Sequence, residues 1–469
     1  MESTSGAGPV KRADTARRRS PRLAATTGLF GTLVEYYDFS VYAFLAVYFA
    51  TSFFPSESST TEVLSALAVF GTAYVFRPLG GIFFGWLGDR RGRRPALLGT
   101  IALMGASSFV IGVLPTHDQI GLLAPALLII CRVLQGFSAG GEMMGAVTLA
   151  AESSEPKRRG LAVSLTPAGS QLGFATATGV VAVTTYVVGT DGMNDWGWRI
   201  PFLLCLPLTI CCLLLRLRLE DSPEFSNAQD REREHSNAST TRLPFVEVLR
   251  THRWMLLFAS GLTFAATTTG YVANTYVVTF LKTAHDFSAG ESYSIVAGTL
   301  TVAAVCASPL AGWFTDRYGK TRVLGASTLA VALLSYPLFL IMEATTSLFV
   351  IIPAYFVLLS LVSFQTVPML GLVISLFPTL VRYSAASTAQ NLGNIVGGGF
   401  APLISSLLVL RTDQLVSPSW FITVAAVVGL LSLAGVNIFR REARQRVAVG
   451  DGVEGGTVTP RAEVANIRD

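Results

Sequence analysis

The chain has 469 residues, of which 51% are hydrophobic and only 14% are charged. A soluble globular domain carries roughly 25% charged residues, so this composition excludes an ordinary water-soluble protein. The formal net charge of +5 comes from loops and tails, and it therefore bears on membrane topology rather than on nucleic-acid binding.

Twelve apolar stretches of about twenty residues or more are long enough to cross a bilayer as helices. A Ser-, Ala- and Arg-rich tail at 1–27 precedes the first six, which lie within 28–218. A polar segment at 219–253 separates them from the last six, which lie within 254–440, and a second tail occupies 441–469. The predicted spans are 28–54, 62–88, 95–114, 119–152, 160–188, 197–218, 254–281, 291–314, 323–342, 346–376, 383–411 and 418–439.

One charged turn occurs twice. The stretch that begins at Gly85 reads Gly-Trp-Leu-Gly-Asp-Arg-Arg-Gly-Arg-Arg, and the stretch that begins at Gly312 reads Gly-Trp-Phe-Thr-Asp-Arg-Tyr-Gly-Lys-Thr-Arg. One offset of 227 residues relates the two copies, from 85 to 312 and, for the aspartates, from Asp89 to Asp316. The chain is therefore predicted to consist of two related halves.

The basic residues predict the orientation of the spans. Of the 35 Lys and Arg residues, 30 fall in the two tails, the central segment and the loops after even-numbered spans. Because cytoplasmic loops carry the excess of Lys and Arg, both termini are predicted to lie in the cytoplasm. The predicted location is the cell (inner or plasma) membrane, crossed many times.

Five further motifs stand in or beside the spans. They are Gly31-Thr-Leu-Val-Glu35-Tyr-Tyr-Asp38-Phe, Phe76-Arg77-Pro78-Leu-Gly-Gly, Gln135-Gly-Phe-Ser-Ala-Gly-Gly-Glu142, Trp196-Gly-Trp-Arg-Ile-Pro201 and Phe377-Pro-Thr-Leu-Val-Arg382-Tyr-Ser. Together with the doubled turn and the six-plus-six arrangement, they resemble the major facilitator superfamily and, within it, the metabolite:proton symporters, over essentially the whole chain. That family includes permeases for proline and betaine, 2-oxoglutarate, shikimate or citrate.

This resemblance implies an all-α polytopic membrane protein with two pseudo-symmetric six-helix bundles around one central site. It also implies secondary active transport: proton-coupled uptake of a small polar metabolite such as an amino acid, betaine or organic acid, by alternating access. The alternative is a proton-antiport exporter, although exporters of this superfamily typically carry Gly-Pro-x-x-Gly-Gly in the fifth span, where this chain reads Thr166-Pro167-Ala-Gly169-Ser. A uniporter or a transporter-like receptor would form a third class.

Three ionisable residues lie deep in the first two spans. An ionisable group in the hydrocarbon core costs at least a few kcal/mol and is a functional hypothesis by default. Glu35, Asp38 and Tyr42 fall at i, i+3 and i+7, on one face of a helix. Asp38 and Arg77 both lie roughly 15 Å from the ends of their spans at 1.5 Å per residue, which predicts either a proton-linked pair or a permanent salt bridge.

The fourth span carries a second polar face, formed by Arg132, Gln135 and Glu142. Removal from water favours the protonated form of a carboxyl group, so Glu142 is our first candidate for the proton carrier, ahead of Asp38 and Glu35. Arg132 is predicted either to bind a substrate carboxylate through its two-pronged guanidinium or to balance the charge of Glu142.

Uncharged polar residues within the spans complete the candidate substrate site, because amides and phenols can recognise a small polar solute from several sides. Each of them could instead form hydrogen bonds between helices without touching substrate. The predicted substrate-binding residues are Arg77, Arg132, Gln135, Tyr42, Gln171, Tyr271, Asn274, Gln365, Gln390 and Asn394.

The two copies of the charged turn are predicted to act as gates. Charges at a helix end can hold a neighbouring helix terminus in one conformation and release it in another. By the family resemblance, the gating residues are Gly85, Asp89, Arg90, Arg93, Asp316, Arg317 and Arg382.

Catalytic residues and metal ligands are not predicted. The four histidines lie in loops or at span ends without metal-ligand spacing, and a nucleotide-binding Gly-rich loop followed by Lys-Ser/Thr does not occur. We therefore expect a transporter and not an enzyme, with no cofactor other than the proton gradient. The expected partners are a small-molecule substrate, protons and membrane lipid, with no nucleic acid, and the oligomeric state stays open.

Overall fold

The computed structural model describes residues 21–91, 93–152, 154–217, 253–377 and 382–448, and these residues are almost entirely helical. The predicted central segment 219–253 and most of the two predicted tails lie outside the described residues. The predicted boundaries of the two halves therefore stay a prediction. For convenience, helices α1 to α6 are called the first half and helices α7 to α12 the second half.

Twelve helices follow one another along the described chain, in agreement with the twelve predicted spans. Several of them extend beyond the predicted span by one or two turns, and four contain an interruption. Their bounds are α1 Pro21–Phe53, α2 Ser59–Arg91, α3 Arg93–Val113, α4 Leu123–Ala139 and Glu142–Glu152, α5 Arg159–Gly192, α6 Arg199–Leu203 and Cys205–Leu217, α7 Arg253–Tyr271 and Val277–His285, α8 Ala289–Tyr318, α9 Lys320–Glu343, α10 Leu348–Ser375, α11 Arg382–Asn394 and Ala401–Thr412, and α12 Pro418–Ala448.

The interruptions of α4, α7 and α11 occur where the chain is rich in glycine or where a wider π turn replaces an α turn, and α6 is interrupted by a single turn at Leu204. Helix α4 is broken at Gly140 and Gly141. Helices α7 and α11 contain the π turns Val272–Tyr276 and Ile395–Gly399, and a third π turn, Met193–Gly197, follows α5. Such turns are frequent at functional sites. The predicted spans treated the stretches in α4, α7 and α11 as continuous helix, because a hydropathy pattern carries no signal for their interruptions, whereas most of Met193–Gly197 falls between the fifth and sixth predicted spans.

Nine helical stretches in the described residues are long and apolar enough to cross a membrane, and they lie in α2, α4, α5 and α7 to α12. The apolar parts of α3 and α6, Leu98–Val113 and Arg199–Leu215, are shorter. Helix α1 has 33 residues, but it contains Glu35 and Asp38 in its middle. The all-helical, polytopic membrane architecture predicted from the sequence is confirmed.

Two helix pairs join the halves. Helix α5 packs along α8, and α2 packs along α11. The offset that relates the two charged turns matches α2 to α8 and α5 to α11, so each of these contacts is the symmetry counterpart of the other. A pseudo-twofold axis between the halves explains this exchange.

The charged turns define one end of the bundle. We call the end where α2 joins α3 and α8 joins α9 the turn end, and we call the other the opposite end. Helix α5 begins at the turn end, where the glycines Gly160 and Gly312 touch: a Cβ atom on either would lie within 2.8 Å of the other's carbonyl oxygen. The glycine that opens the second copy of the turn is therefore needed for this close contact.

Helices α2 and α4 approach each other closely through glycines on both sides. A Cβ atom on Gly136 would lie 1.8 Å from the carbonyl oxygen of Ala73, and one on Gly140 would lie 2.0 Å from that of Arg77. A Cβ atom on Gly80 would lie 1.6 Å from the carbonyl oxygen of Phe137. Small residues permit such backbone contacts between membrane helices, and these contacts fix the position of Arg77 against α4.

The close contact between α2 and α4 can be tested by comparing two separate Gly→Ala variants. Gly136→Ala should destabilise the protein by about 1–3 kcal/mol, because the new methyl group overpacks the α2–α4 contact. Gly298→Ala in α8 is the matched control, since a Cβ atom there meets nothing within 4 Å. The measurement is the melting temperature of each purified variant in detergent. Equal melting temperatures for the two variants would contradict the close packing.

Candidate functional site

A cavity of about 50 Å³ lies at the centre of the bundle, between the two halves. Ligand pockets usually enclose roughly 300–1,000 Å³, so the helices are closed tightly around this one. Six helices line it: α1, α4 and α5 from the first half and α7, α10 and α11 from the second. The lining residues are Tyr36, Met143, Pro167, Ser170, Gln171, Phe174, Ala266, Thr267, Gly270, Tyr271, Asn274, Val362, Thr366, Met369 and Gln390, and none of them is charged.

Two amide side chains face each other across the cavity, one from each half. The amide nitrogen of Gln171 donates a hydrogen bond to the hydroxyl of Ser363 at 2.9 Å. The side-chain oxygens of Gln171 and Asn274 are buried and have no hydrogen-bond partner among the described residues. A buried polar atom without a partner costs free energy, so these two oxygens are placed to accept from a bound molecule.

An aromatic wall closes one side of the cavity. The rings of Tyr36 and Phe174 lie 5.6 Å apart, and those of Phe174 and Tyr271 lie 5.4 Å apart. Aromatic faces attract cations, especially where water is excluded. The cavity thus combines uncharged hydrogen-bonding groups with a surface that suits a positively charged group.

Behind this wall, the first half contains a buried ion pair. Arg77 donates a hydrogen bond to Glu35 at 2.9 Å, and both side chains are at most 3% exposed. The guanidinium of Arg77 lies over the rings of Phe39 and Tyr74, 4.2 Å and 4.5 Å from their centroids. The cation is thus compensated on one side by a carboxylate and on two sides by aromatic faces.

Asp38, one turn further along α1, has a different environment. Its carboxylate accepts hydrogen bonds from the hydroxyl of Ser108 and from the amide of Gln135, at 2.9 Å for one oxygen and 3.1 Å for the other. The thiol of Cys205 lies 3.5 Å away. All of its hydrogen bonds in the described part of the chain therefore come from uncharged donors.

Arg132 completes a network of four buried charges with Glu35, Asp38 and Arg77. Its guanidinium donates to the side-chain oxygen of Gln135 at 2.8 Å, so Gln135 bridges Arg132 and Asp38. The guanidinium also lies over the ring of Tyr42, 4.3 Å from its centroid. We call Glu35, Asp38, Arg77 and Arg132 the charged network; with both acids ionised, its charges balance.

The partners within this network differ from those that the sequence predicted. Arg77 pairs with Glu35 and not with Asp38, because the two acids are three residues apart on α1 and the guanidinium faces the first of them. Arg132 contacts Gln135, its neighbour at i+3, rather than balancing Glu142. Glu142 is buried at the start of the second piece of α4, after the break.

Only some of the predicted substrate-binding residues line the cavity. Gln171, Tyr271, Asn274 and Gln390 line the cavity. Gln365 instead contacts Thr328 at 3.4 Å within the second half. Arg77 and Arg132 belong to the charged network, and Gln135 and Tyr42 contact Arg132. Asn394 is buried in α11 just before the π turn of that helix.

Hydrogen bonds join the halves at the turn end. The carboxylate of Asp316 accepts from the backbone amides of Gly160 and Leu161, at 2.6 Å and 3.0 Å, and so caps the first turn of α5. An acid at a helix N-terminus is favoured by the helix dipole. This contact connects the second copy of the charged turn to the first half.

Helix α11 makes further contacts with the break in α4. Tyr383 donates to the carbonyl oxygen of Gly141 at 2.7 Å, and Ser387 and Asn391 donate to that of Gly140 at 3.0 Å and 2.6 Å. The broken helix leaves these carbonyl groups available, and α11 supplies the donors. At the opposite end, Tyr293 donates to the carbonyl oxygen of Phe44 at 3.1 Å, so the halves touch at both ends.

The structure describes the surroundings of only some of the predicted gating residues. The surroundings of Gly85 and the side chains of Asp89, Arg90 and Arg93 lie outside the described part of the chain. Arg317 lies over the ring of Trp313 at 5.3 Å, and Arg382 donates to the carbonyl oxygen of Phe377 at 3.4 Å.

Several residues at the site were absent from the sequence prediction. Tyr36 and Phe174 form the aromatic wall, Tyr74 connects it to Arg77, Ser108 contacts Asp38, and Asn391 contacts the break in α4. An aromatic residue in an apolar span has the same pattern whether it packs in a core or lines a cavity. Ser108 and Asn391 could have been found from the sequence, because polar side chains are rare in their spans.

The buried ion pair predicts a strong stability effect. Glu35→Gln should destabilise the protein by about 3–5 kcal/mol, because it leaves the buried Arg77 without the charge of Glu35. The double variant Glu35→Gln/Arg77→Met should recover most of the loss, because it removes both charges while keeping the volume. Melting temperatures in detergent measure both effects. A single variant as stable as the wild type would show that the pair does not hold α1 against α2.

Two family models match the chain. Residues 24–248 match the family described as sugar (and other) transporter, and residues 263–464 match the major facilitator superfamily. The proline/betaine transporter of Escherichia coli (strain K12) is 34% identical over 415 residues, which cover 88% of this chain and 82% of that protein. The ectoine/proline transporter ProP of Corynebacterium glutamicum is 33% identical over 451 residues, covering 94% and 88%.

Solved structures agree on the fold. A crystal structure of a D-xylose-proton symporter aligns with a TM-score of 0.66 at 18% identity, covering 88% of this chain and 96% of that one. The partially occluded inward-open conformation of the xylose transporter XylE from E. coli aligns with a TM-score of 0.67 at 17% identity, with the same coverage. Because these families and relatives are transporters, the prediction that the chain is not an enzyme is confirmed. The chain belongs to the major facilitator superfamily of membrane transporters, within its metabolite:proton symporter family.

Proposed function

We propose that this protein takes up a small zwitterionic solute, such as proline or a betaine, together with protons. The observation that carries the proposal is the central cavity, which both halves line with uncharged groups and which adjoins a buried charged network belonging to the first half alone. A symporter needs one site for its solute and one for its proton, and each must influence the arrangement of the two halves.

The chemistry of the cavity supports a solute without net charge. A lone charge in an uncharged, water-excluded cavity would pay a large desolvation penalty, whereas a zwitterion brings both signs. The faces of Tyr36, Phe174 and Tyr271 suit its cationic end. The amide of Gln390 can donate to its carboxylate. The relatives named above are described as transporters of proline, betaine and ectoine, which are zwitterions.

Asp38 is the proton carrier in this proposal. Its hydrogen-bond donors are uncharged, whereas Glu35 has the opposite charge of Arg77 against it. The charge on Asp38 is thus the less compensated of the two, and protonation costs the fewest interactions there. Glu35 is the second candidate. Glu142, the first candidate from the sequence, lies beside the contacts of α11 with α4 and is proposed to sense the state of the turn end.

Alternating access would follow from opening the contacts at one end while those at the other end hold. At the turn end we propose that Asp316 acts as a latch on α5, and that Tyr383, Ser387 and Asn391 act as a second latch on α4. The first copy of the charged turn, with Gly85, Asp89, Arg90 and Arg93, would serve the symmetry-related pair α2 and α11. Arg317 of the second copy and Arg382 at the start of α11 would be the remaining gating residues.

The proposed cellular location and partners of the protein follow from its being a membrane transporter. We propose that it resides in the cell membrane with the turn end and both termini in the cytoplasm, where Lys and Arg concentrate. Its partners would be the solute, protons and lipid. A nucleic acid or a cofactor is not required, because the proton gradient supplies the driving force.

Replacing the proton carrier should uncouple transport. In proteoliposomes, Asp38→Asn should abolish accumulation of radiolabelled proline or glycine betaine driven by external acid, while exchange of internal for external solute continues. Asn keeps acceptor and donor groups for Ser108 and Gln135 but cannot gain a proton. Asp413→Asn, at an exposed left-handed position that Asn tolerates, is the control. Acid-driven accumulation by the Asp38 variant would refute the assignment, and solute efflux driven by external acid in the wild type would indicate antiport.

The amides of the cavity should contribute to affinity. Gln171→Ala and Asn274→Ala should each weaken binding of proline, whose NH2+ group can donate to these oxygens, about 3- to 10-fold, as expected for the loss of one hydrogen bond. Gln365→Ala is the matched control, because it removes a buried amide that does not line the cavity. Isothermal titration of the purified variants measures the effect. Equal loss in all three variants would show that the cavity is not the binding site.

A further inference from the structure

We propose that Tyr74 is the positioning residue that couples the charge state of the charged network to the wall of the central cavity. This inference deepens the proposed function, on which it rests, by assigning the physical connection between proton and solute. Tyr74 lies on α2 in the first half, and its hydroxyl is paired with that of Tyr271 on α7 in the second half.

The geometry places Tyr74 between the two sites. One side of its ring lies against the guanidinium of Arg77, 4.5 Å from the ring centroid. Its hydroxyl contacts Tyr271, which lines the cavity and packs edge-on against Phe174 at 5.4 Å. A change in the position of Arg77 therefore reaches the cavity through a single side chain.

Tyr74 has no space in which to absorb such a change. Its side chain is 0% exposed. A Cβ atom on Gly399 would lie 2.7 Å from the Cβ atom of Tyr74, and one on Gly398 would lie 3.1 Å from its ring. These glycines belong to the π turn of α11, so Tyr74 is packed against two helices of the second half at once. Displacement of the ring must move α7 or α11, because closely packed interiors transmit strain.

Protonation of an acid in the charged network is what displaces Arg77 and the ring of Tyr74, so the groups around both sites matter. The groups that face Tyr74 are Glu35 and Tyr36 from α1, Arg77 on its own helix, Arg132 from α4 and Tyr271 from α7. The groups that face Asp38 are Tyr37 on its own helix, Ser108 from α3, Arg132 and Gln135 from α4, Cys205 from α6 and Arg77 from α2.

With both acids ionised, the charged network is neutral. When one acid takes up a proton, the network carries one excess positive charge. Arg77 and Arg132 then repel each other, since both guanidinium groups lie near the ring of Phe39, 4.2 Å and 5.1 Å from its centroid, and are therefore less than about 10 Å apart. In a site closed to water, like charges at such separations interact strongly. Arg77 shifts, and the ring that rests on it shifts with it.

The connection must also work in reverse. A solute that binds against the face of Tyr271 favours one position of its hydroxyl and therefore one position of Tyr74. By thermodynamic reciprocity, the solute then changes the proton affinity of the network by the same factor as the proton changes that of the solute. Loss of the Tyr74 hydroxyl removes the link to Tyr271 of α7, while the ring stays in place over Arg77 and against α11.

The first test needs no solute. Hydrogen–deuterium exchange of the peptides that cover 253–285 is compared at acidic and alkaline pH, after correction for the intrinsic pH dependence of exchange, with the protein in lipid nanodiscs. The wild type should show faster exchange around Val272–Tyr276 at acidic pH, by at least about threefold. Tyr74→Phe should show the same rates at both pH values. Tyr293→Phe is the control, because that buried hydroxyl also joins the halves, donating to the carbonyl oxygen of Phe44, but lies at the opposite end and away from the charged network.

The outcomes of this test are decisive. A pH-dependent change that persists in Tyr74→Phe overturns the inference, and so does a wild type without any change in α7. A loss of the change in Tyr293→Phe as well as in Tyr74→Phe would also overturn it, because the effect would then belong to buried tyrosine hydroxyls that join the halves in general.

The second test separates this inference from the proposed function. In proteoliposomes, Tyr74→Phe should bind glycine betaine within about threefold of the wild type, while the number of protons taken up per solute, followed with an internal pH dye, falls toward zero. An unchanged ratio overturns the inference. A wild type that passes the exchange test but takes up neither glycine betaine nor proline with protons would refute the proposed function and leave the Tyr74 connection standing.

Discussion

The ion pair between Glu35 and Arg77, 2.9 Å long and closed off from water, is the interaction on which the first half depends. Neither charge could be placed alone at this depth, because an isolated charge in a low-dielectric interior costs several kcal/mol. The glycines of α2 and α4 bring the backbones together so that Arg77 meets its partners, and Phe39 and Tyr74 cover the faces of its guanidinium. The packing of α1, α2 and α4 is thus arranged around charge compensation.

The second half has no buried charges to compensate at the positions that correspond to Glu35, Asp38 and Arg77. The offset of 227 residues that relates the charged turns takes Glu35 to Leu262, Asp38 to Ala265 and Arg77 to Ala304. The two halves share a fold, but they differ in chemistry: buried charge is concentrated in the first, and the second contributes apolar and uncharged polar groups. In the proposed function this difference becomes a division of labour, in which one bundle would carry the proton and both bundles would hold the solute.

The sequence predicted the architecture well, since apolar stretches of span length and a doubled turn are visible without coordinates. It also identified the charged network, because Glu35, Asp38, Arg77 and Arg132 stand out in apolar surroundings. It did not predict which acid meets which arginine. That choice depends on the rotation of α1 about its axis, and acids three residues apart on one face are equivalent in a helical pattern.

The cavity wall was beyond sequence reasoning for a different reason. Tyr36, Phe174 and Tyr74 have the hydropathy of ordinary core residues, so their role depends on which helix of the other half they meet. The π turns of α7 and α11 likewise leave no mark on hydropathy, although they position Asn274 and the glycines against Tyr74. Tertiary contact between the halves decides both features.

The neutrality of the central cavity has an energetic consequence. In the proposed cycle a zwitterion contributes no net charge to the loaded carrier, so one proton that travelled with it would move one full positive charge across the bilayer. The voltage across the membrane then does work on every cycle, about 2.3 kcal/mol for each 100 mV. That work corresponds to a concentration ratio of roughly 50 between inside and outside, gained even when the pH is the same on both sides.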